Sequence, residues 1–271
     1  MEKDGRDSIS GVELSWTAGG WRWRVGAMRT GNPVLNDATF RELSAVGAQR
    51  MTLTGTVNAT LMFLTLLMAA AMFTWNKASV DPAGVMMWVG GGAIAGLVLA
   101  IVTVFKKEWA MWTGCLYAGA EGLFLGGVSA MYEAQFNGIV LQAVLLTGGV
   151  LFALLTAYSM RLIKATENFK LGIAAATGGI FLVYLATWIL GFFGIQIPWI
   201  HESGMMGIGF SVFVVVIAAL NLVLDFDFIE NGCAQGAPKY MEWFAAFGLL
   251  VTLVWLYLEI LRLLSKLARR D

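Results

Sequence analysis

Seven long apolar runs are the feature that most restricts how this chain can fold. Each holds about 20 mostly apolar residues, the length that an α-helix needs to cross a hydrocarbon layer of ~30 Å. A backbone in lipid must satisfy its own polar groups, and the alternating pattern of a membrane barrel is absent, so helices are predicted. The runs cover roughly residues 53–74, 84–105, 110–131, 138–160, 171–195, 205–229 and 243–264.

The composition agrees with a bilayer as the solvent. The chain is 58% hydrophobic and 13% charged, whereas a soluble domain carries about 25% charged residues. We predict an all-α membrane protein with a polar N-terminal segment (residues 1–50), a seven-helix transmembrane domain (51–267) and a short tail (268–271). No secretory signal is expected, because the polar start has no apolar block. A net charge of zero gives no electrostatic case for nucleic acid.

The distribution of Lys and Arg predicts the orientation of the bundle. Thirteen basic residues fall in the N-terminal segment and in alternate loops, which the positive-inside rule assigns to the cytoplasm. Seven spans would then place the C-terminus outside, although the tail "RLLSKLARRD" is basic. Either this tail crosses despite its charge, or one run is re-entrant. The thirteen are Lys3, Arg6, Arg22, Arg24, Arg29, Arg41, Arg50, Lys106, Lys107, Arg161, Lys164, Lys170 and Lys239.

The N-terminal segment is rich in Gly, Trp and Arg, as in "GGWRWRVG". Two interpretations are open: a segment that lies on an anionic inner leaflet, or a disordered tail. The stretch "NDATFRELSAVGAQR" could form a short helix leading to the first span, with Asn36 or Asp37 as its cap.

The sequence contains no pattern typical of an enzyme. Cys115 and Cys233 make neither a disulfide framework nor a metal site with usable spacing. His201, the only histidine, has Ser203 nearby but no arrangement that suggests a triad. We therefore expect no catalytic residues and no tightly bound cofactor.

Several acidic residues fall within the apolar runs, where an ionisable group costs at least ~2.5 kcal/mol. Glu121 is near the middle of the third run, in "GAEGLFLGG", and either serves function or is a protonated group bonded to a neighbouring helix. Asp225 follows Asn221 by four residues and shares its helix face, while Asp227 points elsewhere. Both aspartates could simply be solvated at a helix end. Glu259 is placed to form a local ion pair with Arg262.

The order of these motifs resembles the Bax inhibitor motif family, in its bacterial branch with a long N-terminal segment. The similarity covers about residues 33–267 and includes "EGLFLGG", "LDFDFIENG" and the final apolar span. The resemblance implies a bundle in which six helices surround the seventh, a proton-sensitive calcium leak and a link to stress responses. It also implies that an aspartate closing the sixth span pairs with one in the seventh. The first of these maps onto Asp225.

The chain departs from the family pattern at the second aspartate. Alignment on the end of the last span places Thr252 there, whereas alignment on "LYLE" would place Glu259 there. Thr252 lies at a depth closer to that of Asp225, and it cannot ionise. A lone Asp225 then needs another partner, and Glu121 and Asp227 are the available acids. One or two carboxylates suit weak, transient passage of calcium, which prefers six to eight oxygen ligands.

Two functions of different classes follow from these observations. The first is a pH-sensitive cation leak of the bacterial inner membrane, for calcium or coupled to protons, in which Asp225 acts with Asp227, Glu121, Asn221 and Thr252. The second is a non-conducting regulator that binds another membrane protein, such as a membrane protease, through residues 1–50. The basic, Trp-rich segment and the missing second aspartate favour the second.

Overall fold

The computed structural model describes residues 12–17, 20–25, 50–193 and 204–270. The chain divides into two units, Met1–Gln49 and Arg50–Asp271. In the first unit, strands β1 (Val12–Thr17) and β2 (Gly20–Val25) pair antiparallel, with Val12 opposite Val25 and Thr17 opposite Gly20. This hairpin was not predicted from the sequence. The expected helix over residues 36–50 lies outside the described residues, apart from Arg50.

Seven long helices make up the described part of the second unit, and each overlaps one of the seven apolar runs. Several extend beyond the runs, because helices continue through interfacial polar residues once the backbone is paired. They are α1 (Leu53–Val80), α2 (Val85–Phe105), α3 (Ala110–Gln135), α4 (Ile139–Ser159), α5 (Glu167–Phe192), α6 (Met205–Ala234) and α7 (Tyr240–Ala268), with a 3₁₀ turn at Lys107–Trp109.

Six of these helices are long and apolar enough to cross a membrane, judged by length and composition, and α3 is the exception. Helix α3 packs closely against both α1 and α2. Glycine residues lie at these contacts, whereas Trp112 and Leu116 of the same helix are exposed. Gly122 approaches the Leu67 carbonyl of α1, and Gly126 approaches the Ala71 carbonyl in the same way. Small residues at these positions let the helix backbones approach each other closely, as is common in membrane helices.

Helix α7 is the most buried of the six candidate spans. It packs against α1, α3, α4 and α6, and it contributes to the two largest groups of buried apolar side chains. The chain is therefore an all-helical membrane bundle in this unit. The finer expectation, that six helices encircle α7, stays a prediction.

Contacts near the helix termini define two ends of the bundle. At the first end, Arg50 forms an isolated β-bridge with Pro238, and Lys107 lies over the ring of Phe244. At the opposite end, the Arg269 guanidinium lies over the Phe136 ring. Arg50, which precedes α1, and Arg269, which follows α7, thus lie at different ends of the bundle.

Candidate functional site

Asp225 lies inside its helix rather than at the end of it. Helix α6 continues for nine residues beyond Asp225, to Ala234, which is ~14 Å at the helical rise of ~1.5 Å per residue. The adjacent side chains, Leu222 and Phe226, belong to the core that α7 completes. The alternative in which both aspartates are solvated at a helix end is therefore wrong for Asp225.

Thr252 of α7 is the polar group that faces Asp225. Its hydroxyl lies close to the Asp225 carboxylate, and it donates a hydrogen bond to the Gly248 carbonyl of the preceding turn at 3.2 Å. A hydroxyl has one proton to donate. Among the described residues, Oδ2 of Asp225 is the one buried side-chain oxygen or nitrogen without a hydrogen-bond partner.

This arrangement suits a carboxyl group that gains and loses a proton. A buried polar group without a partner costs roughly 1–3 kcal/mol, and more if it is charged. The Thr252 oxygen keeps lone pairs after donating to Gly248, so it could accept a hydrogen bond from a neutral Asp225 carboxyl. An ionised Asp225 would have no such donor to offer. The two protonation states of Asp225 would therefore differ in the hydrogen bonds that they offer to Thr252.

The other residues of the "NLVLDFDFIENG" stretch have partners of their own. Asp227 forms an ion pair with Lys170 of α5 at 2.9 Å and accepts a hydrogen bond from Asn231 at 2.9 Å. Asn221 donates to the Thr177 hydroxyl of α5 at 2.8 Å. Neither side chain is directed at Asp225, so the structure does not bring these three predicted residues into one cluster.

Glu121 also lies apart from Asp225. Its Oε2 atom faces Gly96 of α2, where an added Cβ would come within 2.7 Å. Helices α3 and α6 form no packing interface in the described part of the chain. The expectation that Glu121 would be the partner of Asp225 is therefore wrong, because the face of α3 that carries Glu121 packs against α2.

A second polar cluster lies near the opposite end of the bundle. The predicted ion pair is confirmed, with Arg262 Nη1 at 2.8 Å from Glu259 Oε1. Tyr184 of α5 donates to the same carboxylate at 3.1 Å. Lys266 is only 5% exposed and donates to Ser211 of α6 at 2.9 Å. These bonds tie α5, α6 and α7 together.

Most of this cluster was not predicted from the sequence, although the spacing of its charged residues indicates it. Glu259, Arg262 and Lys266 follow one another at spacings of three and four residues, which places all three on one helix face. That face lies among the apolar residues of α7, so the buried Glu259 and Lys266 and the partly exposed Arg262 are expected to lie close together. Glu242 was missed as well: it is 3% exposed and accepts hydrogen bonds from the Thr52 backbone and hydroxyl at 2.9 and 2.8 Å.

Within the described residues, no group of three or more His, Cys, Asp or Glu side chains is gathered closely enough to hold a metal ion. Two of the carboxylates share a cation, since Lys170 lies 3.1 Å from Glu167 and 2.9 Å from Asp227.

Comparison with known proteins identifies one family. The model of the family described as Bax inhibitor 1 like matches residues 32–269, which is most of the chain. The search of curated proteins and the search of solved structures give no match.

Proposed function

Because the chain belongs to the Bax inhibitor 1 like family, we propose that it is a pH-sensitive cation leak protein that conducts calcium across the bacterial inner membrane. The N-terminus and the basic loops of the first end would face the cytoplasm, in keeping with the positive-inside rule. The protein would act by opening and closing a path, without catalytic residues and without a resident cofactor.

The unpartnered Oδ2 of Asp225 is the observation that supports this proposal. It is buried between the sixth and seventh helices, at the position that the family resemblance assigns to a proton-responsive aspartate. An intramembrane carboxylate without a partner marks a functional site more often than a structural one. Protonation of Asp225 would change its contact with Thr252 and so bias the packing of α6 on α7.

Calcium would meet few ligands along such a path. Asp225 offers one carboxylate, and Asp227 and Glu230 lie closer to the first end. Two or three oxygens at a time hold calcium weakly, which is what rapid passage needs. We therefore propose transient contacts and no stable calcium site.

Calcium flux into proteoliposomes at pH 6 and pH 8 tests the proposal. Asn has nearly the shape of a protonated Asp, so Asp225→Asn should show at both pH values the flux that the wild type shows at pH 6. The wild type should change its flux by about tenfold between the two pH values, because a buried carboxyl that loses its proton shifts a two-state equilibrium by one to a few kcal/mol.

The matched control is Glu167→Gln, which removes an exposed carboxylate at the same end of the bundle. It should keep the pH dependence of the wild type. Equal flux in the wild type and in Asp225→Asn at both pH values would count against Asp225 as the gate, and flux no greater than that of empty liposomes would count against conduction.

A second candidate function is a non-conducting regulator that binds a membrane protein, such as a membrane protease, through residues 1–50. Thr252 favours this function, because it occupies the position that the family resemblance assigns to a second aspartate. The seven basic residues of the N-terminal segment also favour it. Deletion of residues 1–30 should then abolish co-purification of that partner and leave any calcium flux unchanged. If the partner still co-purifies with the truncated protein, the segment is not the contact.

A further inference from the structure

A lateral cleft separates α1 from α4. Both helices pack on α7, but in the described part of the chain they form no packing interface with each other. Two cavities, of about 780 and 630 Å³, occupy the gap and share Leu64 and Leu151 in their linings. We use "lateral cleft" for the 780 Å³ cavity, which lies at the first end of the bundle.

The length and the lining of the lateral cleft match one hydrocarbon chain. Its α1 wall runs from Leu53 to Leu64, which is ~16 Å at the helical rise and close to half of the ~30 Å hydrocarbon layer. Its rim carries exposed apolar side chains, including Val57, Leu61 and Leu155. The cleft therefore opens sideways, onto the surface of the bundle that faces lipid.

The mouth of the lateral cleft is basic. Arg161 and Lys164, in the turn between α4 and α5, line it together with Thr166. Neither basic side chain forms an ion pair with any residue that the structure describes. Both are exposed, at the level where the headgroups of one leaflet would lie.

The backbone of Arg161 is held in an unusual conformation. Its φ of 58° is the one positive value at a described residue other than glycine. The turn has the hydrogen bonds of a helix C-cap, from the amides of Arg161 to Tyr158 and of Leu162 to Ala157, both 2.9 Å. Glycine is the usual residue at this position. An arginine accepts a conformational cost here and places its side chain at the mouth of the cleft.

The acidic residues at the mouth are already engaged. Asp227 pairs with Lys170 at 2.9 Å, and Glu230 accepts a hydrogen bond from the Tyr158 hydroxyl at 2.6 Å. These contacts leave Arg161 and Lys164 available to an anion from outside the protein. An apolar groove as long as one leaflet, with two available cations at its end, is complementary to a phospholipid with an anionic headgroup.

We propose that the lateral cleft binds an anionic phospholipid of the adjacent leaflet, with its phosphate at Arg161 and Lys164 and one acyl chain between α1 and α4. The site differs from Asp225, which does not line this cleft. The proposal does not depend on calcium conduction. Lipid bound here would hold α1 and α4 at a fixed separation.

Native mass spectrometry of the full-length protein, delipidated and then exposed to phosphatidylglycerol or phosphatidylcholine, tests the proposal. The wild type should retain phosphatidylglycerol about tenfold more strongly, the order of magnitude that one or two basic side chains contribute near a membrane surface. The Arg161→Gln/Lys164→Gln variant should lose this preference. Arg161→Gly, which suits the left-handed backbone, should weaken it without lowering the melting temperature.

Two further variants separate the cleft from general surface charge. Lys106→Gln removes an exposed cation at the same end of the bundle, outside the cleft, and should keep the preference. Val57→Trp fills the trough and should reduce retention of lipid with the cations intact. Equal retention of both lipids by the wild type, loss of preference in Lys106→Gln, or displacement of the lipid by soluble glycerol phosphate would each overturn the proposal.

Discussion

Replacement of Glu259 by Ala should lower the free energy of unfolding by about 3 kcal/mol, the low end of the cost of breaking a buried ion pair. The Glu259 side chain is 2% exposed and its partner Arg262 keeps 38% exposure, so part of the freed charge can be solvated. Tyr184 would lose the carboxylate that accepts its hydrogen bond, and Arg262 would keep only the Tyr184 hydroxyl as an acceptor. Denaturant-induced unfolding in mild detergent measures the loss.

Two comparisons show whether the charge is the cause. Glu259→Gln keeps a carbonyl oxygen for Tyr184 and Arg262 and should cost about half as much, because only the charge-assisted part of these bonds is lost. Glu167→Ala removes an exposed ion pair with Lys170 and should cost much less than Glu259→Ala, because both partners remain solvated.

The double variant Glu259→Leu/Arg262→Leu distinguishes loss of the ion pair from loss of packing. Removing both charges should recover most of the stability, since apolar groups of similar size often replace a buried ion pair without loss. Lys266 would keep its bonds to Ser211 and the Gly207 carbonyl. If the double variant is as unstable as Glu259→Ala, the loss comes from packing and the ion pair is not the cause.

The positions of the helices could be predicted from sequence because the bilayer imposes them. A transmembrane span must be apolar and about 20 residues long, so each long apolar run predicts a helix. Helix α3 shows where this criterion weakens. Gly122 and Gly126 lower its hydropathy, yet they allow the close approach to α1. A helix buried among other helices does not need to look like one that faces lipid.

The partners of the acidic residues could not be predicted, because they depend on how each helix is rotated about its axis. Glu121 lies near the middle of its helix, where a functional acid is expected, but the face of α3 that carries it packs on α2 at Gly96. Local spacing did predict the contact between Glu259 and Arg262. The third member of that cluster, Tyr184, comes from another helix, and sequence spacing carries no information about such a contact.

Thr252→Asp should convert the single titrating group at Asp225 into a coupled pair. The Thr252 hydroxyl lies beside the Asp225 carboxylate, so a carboxylate introduced there would lie about one hydrogen-bond length away. Two unit charges ~4 Å apart repel by about 4 kcal/mol at an effective dielectric constant of ~20. That energy would separate two titration steps by about three pH units.

The wild type should therefore show one step in a plot of calcium flux against pH, and Thr252→Asp should show two. Thr252→Asn, which has the size of Asp without its charge, should keep one. The infrared carboxyl band, followed against pH in the same variants, gives a measurement that does not require conduction. One step in both flux and infrared profiles of Thr252→Asp would mean that the two side chains do not share a proton. Two infrared steps without any flux would retain the coupled pair and favour the regulator over the leak.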